Sequence, residues 1–497
     1  MRPHVFALLT AGLCLAATAH AGQTKPLLDA DAIKALVLPD VEIKSVAHTE
    51  GGKAGVAGAG YYDVDGVIGG TIGFELLLPL EWNGRFTMGG GGGFVGSVQN
   101  MMRGSANQGY ATVGTDTGHT GTDGSWALND LLAQVNFGHL AVHRTTEVAK
   151  AIIHHTYGSG PEFSYFLGCS RGGGQAMMEA QRYPQDFDGI VSGAPAFDWT
   201  GIAALFVQMA QAFYPDPNKL DTTVLPKEDV ERLYAEILKQ CDEKDGLKDG
   251  IIADPRDLTF DLSKVPGLND AQRKAIQVVY DGAKNADGSI YPGFPLGCEP
   301  GGGGWFSWIT GPGPLNPMNG NSPSASFMFG THVLKYFVFN DPELNYATYD
   351  FGNWDKDSAL TASNLSATNP DLTTFKDRGG KLILWHGWAD AALPAGATID
   401  YYEKVRRQHA DADDFTRLYL LSGCMHCGGG SGPSGVDWLE QIVGWVEGAK
   451  APEVIIATGK TADGASLSRP LFPYPQEAMY DGEGDPNDAA NFVVRKP

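Results

Sequence analysis

Residues 163–183 read Phe-Ser-Tyr-Phe-Leu-Gly-Cys-Ser-Arg-Gly-Gly-Gly-Gln-Ala-Met-Met-Glu-Ala-Gln-Arg-Tyr. The apolar, aromatic run Phe163–Leu167 predicts a strand, and Gly173–Tyr183 predicts a helix. Between them stands Gly168-Cys169-Ser170-Arg171-Gly172, a Gly-x-Ser-x-Gly pattern. A strand that turns this abruptly into a helix has no room for side chains at the flanking positions, so glycine stands there. The serine hydroxyl is then left exposed at the edge of the sheet, where it can act as a nucleophile. A Gly-rich turn with an incidental serine has the same local pattern, so partners for Ser170 decide between the two.

Two later segments supply them. Lys381–Trp385 reads as a strand and ends in His386-Gly387-Trp388-Ala389-Asp390, and Arg417–Leu421 reads as another and ends in Ser422-Gly423-Cys424-Met425-His426-Cys427. Ser170, Asp390 and His426 therefore each lie just past the C-terminal end of a predicted strand. In a parallel sheet those ends share one edge. The chain order of nucleophile, acid and histidine is that of an α/β-hydrolase. The chemistry needs this set, because a serine hydroxyl is a weak nucleophile until an imidazole takes its proton. The imidazole in turn needs a carboxylate to fix its tautomer.

Cys169 adjoins the serine and Cys427 adjoins the histidine. If Ser170 and His426 meet, the two cysteines come within bonding range; otherwise they are two buried thiols. The Arg171 backbone amide is one expected oxyanion donor. The all-glycine loop Gly89–Gly93 is the expected source of the other, with Gly93 the first choice and Gly92 the second. That loop lacks the Gly-Lys-Ser/Thr continuation of a nucleotide-phosphate loop. Residues 241–251 combine Asp242, Asp245 and Asp249 with two turn glycines. This is a plausible loop for a hard cation, although its spacing is not that of an EF-hand and a solvated acidic turn has the same composition.

Composition bounds the rest. The chain has 497 residues and is 43% hydrophobic, enough for a large core with an insertion or a second domain. Its 66 glycines follow no period, which excludes a fibrous protein. A formal charge of −22 makes nucleic acid and anionic membranes poor partners. Met1–Ala21 reads as a secretory signal: Arg2, an apolar Val5–Ala17 and the small-x-small Ala19-His20-Ala21. Export implies an oxidising compartment, secreted or periplasmic, and an odd five cysteines after the signal leave at least one without an intrachain partner.

The whole set resembles the tannase and feruloyl esterase family, whose mark is Cys-Ser, Asp and His-Cys, here Cys169-Ser170, Asp390 and His426-Cys427. The resemblance also takes in Trp82-Asn83-Gly84-Arg85, the glycine loop before Phe94, Asp116-Thr117-Gly118-His119, Tyr183-Pro184 and the His386–Asp390 stretch. It implies an α/β-hydrolase core, with a mostly parallel sheet and a large inserted lid, and hydrolysis of esters of aromatic acids. It also implies a structural calcium held by the Asp242, Asp245 and Asp249 side chains and the Leu247 and Ile251 carbonyls. The expected organisation is a signal at 1–21, core at 22–200, lid at 201–375, core again at 376–450 and a tail packed on the core at 451–497, with little pattern of its own. The family's second cysteine after the calcium loop is missing here, so Cys241 pairs with Cys298 or stays free, and Cys424 is a competitor for Cys169. No arginine occurs between Arg273 and Arg378. A substrate carboxylate usually calls for an arginine clamp, so the expected substrates are hydroxycinnamoyl or other phenolic esters, including those of plant polysaccharides. The alternatives are a hydrolase of terephthalate-type monoesters, an acyl transferase with the same triad, and a calcium-dependent glycan-binding protein.

Overall fold

The structure, a computed structural model, describes residues 23–52, 58–311 and 321–495. The expected signal at Met1–Ala21 lies outside them. Seven strands come first: β1 (Val41–Glu50), β2 (Gly60–Ile68), β3 (Ile72–Pro79), β4 (Arg85–Gly89), β5 (Ala111–Thr115), β6 (Phe163–Cys169) and β7 (Gly189–Gly193). A small hairpin, β8 (Ala283–Asn285) and β9 (Gly288–Tyr291), stands apart, and β10 (Lys381–Gly387) and β11 (Thr416–Leu421) then return to the sheet. The order across it is β1-β2-β3-β5-β4-β6-β7-β10-β11. The first four strands in that order pair antiparallel, and β5 through β11 pair parallel.

The parallel strands are buried along nearly their whole length, as a sheet covered on both faces requires (β6, β7 and β10 are examples). The helix Ala141–Tyr157 covers one face near β3 and β5, and the helix Trp438–Gly448 packs on β7 and β10. Glu447 from the latter forms a two-pronged ion pair with Arg85 of β4, at 2.6 and 2.5 Å, and accepts the Tyr165 hydroxyl of β6 at 2.7 Å.

β7 and β10 are neighbours in the sheet, yet the chain between them leaves it for the long helix Trp199–Phe213, further helices and β8–β9. This inserted segment has no separate core. Phe94 from the glycine loop lies within ring-contact range of Phe137, Trp199, Phe329 and Phe337, and one apolar cluster runs from the sheet into the insertion.

Two features depart from the sequence reading. β1, a charged and mostly exposed edge strand, was not expected. The tail is not irregular: it forms two antiparallel hairpins, β12 (Ile455–Lys460) with β13 (Ser466–Leu471) and β14 (Glu477–Tyr480) with β15 (Phe492–Arg495). The tail is anchored by its contacts with the core and the insertion, and by Ile455, Ala457 and Leu471, which are buried in the apolar cluster with β6, β7, β10 and β11. The Tyr474 amide bonds to Leu418 in β11, and Arg469 reaches Asp249. Among the described residues no helix is long and apolar enough to cross a membrane.

Candidate active site

β6 ends at Cys169, and Arg171–Arg182 is helix, so Ser170 alone makes the turn. Its φ is +63°, a strained value for a residue with a side chain. The turn is as tight as the motif requires: a Cβ on Gly168 would fall 2.3 Å from the Gly172 carbonyl carbon. The glycine loop after β4 lies directly against this elbow, since a Cβ on Gly90 would fall 2.6 Å from Gly172 Cα.

His426 and Asp390 converge from the loops after β11 and β10. His426 Nδ1 lies 2.8 Å from Asp390 Oδ2, the arrangement in which Nδ1–H donates to the carboxylate and Nε2 keeps its lone pair. Asp390 Oδ1 accepts the Ala392 and Leu393 amides at 2.7 and 3.0 Å. A further partner, not foreseen from the sequence, is His386, whose Nε2 lies 3.1 Å from Asp390 Oδ2 and 3.0 Å from the Leu393 carbonyl, while its Nδ1 meets the Thr398 hydroxyl at 2.9 Å. The signal for it was the spacing His386–Asp390, which a turn folds back on itself. Asp390 is fully buried. Burial pushes its carboxyl pKa up, but the charge of His426 and the bonds from His386 and His426 outweigh burial and hold it well below the usual carboxylate range.

Ser170 and His426 line one narrow cleft with Gly93, Arg171, Ala196, Trp199, Ile202, Phe206, Trp308, Phe329, Ala392 and Leu393. Ser170 and His426 make no direct hydrogen bond in this structure; such bonds commonly close only around substrate. The Trp308 and His426 rings meet in a T-shaped arrangement with their centroids 5.2 Å apart. The Arg171 amide is in the first turn of its helix, where N–H groups lack intrahelical partners. The Gly93 amide has no acceptor among the described residues. Gly92 is corrected: its amide donates to Gln99 Oε1 at 2.8 Å and is therefore committed elsewhere.

Cys169 and Cys427 form a disulfide, with Cα atoms 5.8 Å apart and a sequence separation of 258. Cys241, Cys298 and Cys424 are free and buried, so Cys241 does not pair with Cys298 and Cys424 does not displace Cys427. The Cys298 thiol instead receives the Trp305 indole N–H at 3.2 Å.

In the acidic loop each carboxylate accepts loop amides: Asp242 from Gly250, Asp245 from Leu247 and Ala253, and Asp249 from Ile251. Asp249 also receives Arg469 at 3.1 Å. Burial, reinforced by Asp249 and Asp242, pushes the Asp245 carboxyl up to about 6 against its amide bonds. An oxygen-only donor set with mutually repelling carboxylates suits a hard cation. The three carboxylates do not converge within 4.8 Å. The acidic cluster that does so among the described residues is Asp63, Asp65 and Glu75, and Arg103 already pairs with its Asp63 and Glu75.

A family model described as Tannase and feruloyl esterase matches residues 62–494. Mono(2-hydroxyethyl) terephthalate hydrolase of Piscinibacter sakaiensis is 34% identical, over 86% of this chain and 82% of that protein. Feruloyl esterase B of Aspergillus niger is 31% identical, over 83% and 82%. The crystal structure of feruloyl esterase B from Aspergillus oryzae superposes with a TM-score of 0.81 at 26% identity, covering 94% of this chain and 99% of that one.

Proposed function

The chain belongs to the tannase and feruloyl esterase family, and on that premise we propose that it is a serine carboxylic-ester hydrolase acting on esters of uncharged aromatic acids, hydroxycinnamoyl or otherwise phenolic. Ser170 Oγ attacks the ester carbonyl while His426 Nε2 takes its proton. Asp390 holds the imidazole through Nδ1 and offsets its charge. The Arg171 and Gly93 amides receive the oxyanion. His426 then protonates the leaving alkoxide, and water, activated by the same imidazole, releases the acid from Ser170.

The observation that carries the choice of acid is the lining of the cleft. Trp199, Phe206, Trp308 and Phe329 offer flat apolar surface to a ring. The cleft's one arginine, Arg171, turns its guanidinium to the Phe137 and Gly138 carbonyls. Among the described lining residues no other cation would pair with a second carboxylate on the acid, which supports an uncharged ring over the terephthalate monoester that the 34%-identical relative is named for. Phenolic esters of plant polysaccharides fit as natural substrates.

We further propose that residues 242–251 hold a structural calcium through the Asp242, Asp245 and Asp249 side chains and the Leu247 and Ile251 carbonyls. Bound there, the ion neutralises the loop, and it has no part in the ester step. A secreted or periplasmic site of action is supported by the disulfide and by the apolar N-terminal segment.

The test is a panel of methyl ferulate, methyl gallate, chlorogenate and mono(2-hydroxyethyl) terephthalate, run with the wild type and Ser170→Ala. The expected result is the highest kcat/KM on a hydroxycinnamoyl ester and a loss of about 10⁴-fold or more in the variant. Preference for the charged monoester refutes the acid assignment, and an active alanine variant refutes the mechanism.

A further inference from the structure

The side chain of Arg171 is 1% exposed. Among the described residues its hydrogen bonds run only from Nη2 to the Phe137 and Gly138 carbonyls, the latter at 2.9 Å. Nε and Nη1 are buried without a partner. The guanidinium lies 4.4 Å over the Phe137 ring and 5.7 Å over that of Trp199. Among the described residues no carboxylate compensates its charge, and burial is the influence on its acidity. The titratable neighbour it does have is His139 from the π-helical turn Asn136–Leu140, which is not an anion.

Burying an isolated charge is expensive. This one belongs to the residue whose amide faces the developing oxyanion, so a single side chain's length separates the two, behind the Trp199 wall of the cleft. We propose that the Arg171 guanidinium serves as a fixed, uncompensated positive charge that stabilises the oxyanion formed at the backbone of the same residue. The proposal rests on the ester-hydrolase reading above. The group touches neither substrate nor His426 and acts through its field alone. Burial pulls its pKa down to about 9, which leaves it protonated at neutral pH. At an effective dielectric near 20 and about 8 Å, one charge changes a rate by roughly 10- to 30-fold.

The experiment compares Arg171→Met and Arg171→Lys with wild type on a neutral aromatic ester from pH 5.5 to 8, where the wild-type guanidinium keeps its proton, with thermal unfolding of each variant as the check on folding. The methionine variant should show kcat lowered about tenfold or more with KM nearly unchanged. In the lysine variant the charge returns, but a buried ammonium gives up its proton readily. Its kcat should approach wild type at the acid end and sink to the methionine level as pH rises. A structural role would not create that alkaline limb. Parallel pH profiles for the two variants, or an unchanged kcat in Arg171→Met, overturn the proposal. So does a loss confined to mono(2-hydroxyethyl) terephthalate, which would make Arg171 an anchor for the substrate's carboxylate. A wild type inactive on every aromatic ester overturns the functional reading itself, and the proposal with it.

Discussion

The disulfide between Cys169 and Cys427 can be removed cleanly by the double substitution Cys169→Ser with Cys427→Ser. A single change would leave one of the pair free to react with Cys424, a buried thiol three residues before Cys427 in the chain. The bridge closes 258 residues, and chain entropy puts an upper figure of about 5–6 kcal/mol on its stabilisation. In a chain of this size that corresponds to a fall in Tm of roughly 5–10 °C. The effect on rate has a separate origin. The bridge joins the immediate neighbours of Ser170 and His426, and those two side chains make no direct hydrogen bond of their own, so their separation is set by the backbones that the sulfurs connect. A displacement of about 1 Å there costs about 10²-fold in rate. The assay is steady-state kinetics at 20 °C, well below unfolding, paired with calorimetry. The expected outcome is a lowered Tm together with a kcat at least tenfold down on a folded protein. Wild-type kcat in the double variant, whatever its Tm, refutes the claim that the bridge positions base against nucleophile.

Asp390→Asn should keep the fold, because its Oδ1 bonds to the Ala392 and Leu393 amides can persist, yet lower kcat about 10⁴-fold by disfavouring the required His426 tautomer; a loss under tenfold, measured on the panel above, contradicts the triad. Glu299 is buried and its carboxyl is pushed up to about 7, chiefly by burial, so the folded state binds a proton that the unfolded state releases. Its contribution is most favourable below about pH 4.5 and is lost as pH rises to about 7. Glu299→Gln, which mimics the protonated form, should therefore raise Tm relative to wild type at pH 8 and leave it nearly unchanged at pH 4.5, and equal shifts at both pH values would exclude this linkage. Stripping the protein with a chelator should cost roughly 3 kcal/mol if calcium saturates its loop a hundredfold, and Asp245→Asn should abolish the chelator's effect; a chelator-insensitive wild type, read by calorimetry, removes the cation from the account.

Much of this architecture was legible because the motif residues are dictated by backbone geometry. The Gly168–Gly172 frame predicts an elbow whatever surrounds it, and the strands before Ser170, Asp390 and His426 carry apolar runs that only a covered parallel sheet explains. Less was legible where the determining contact is distant in sequence. β1 is charged along an exposed edge and has no apolar alternation to announce it. The tail hairpins are anchored by tertiary contacts such as Arg469 with Asp249, across 220 residues. Gly92 and Gly93 are indistinguishable as letters, and the side chain of Gln99 separates them by claiming one amide. The Cys241 and Cys298 thiols stay apart although their count and compartment invite a bridge, because pairing depends on where they sit and not on how many there are.

The ring cluster around Phe94 has a consequence for how this scaffold changes its diet. Trp199 and Phe329 belong both to the roof of the cleft and to the packing beneath it, so the roof is bolted to the floor and does not swing on a hinge. Transplanting an entire roof from a relative would tear out part of the foundation. New substrates are reached more directly by trimming one ring on the inner ceiling, with Trp308 the first to cut, since it stands at the histidine and meets the Phe94 cluster at its rim, through Phe329.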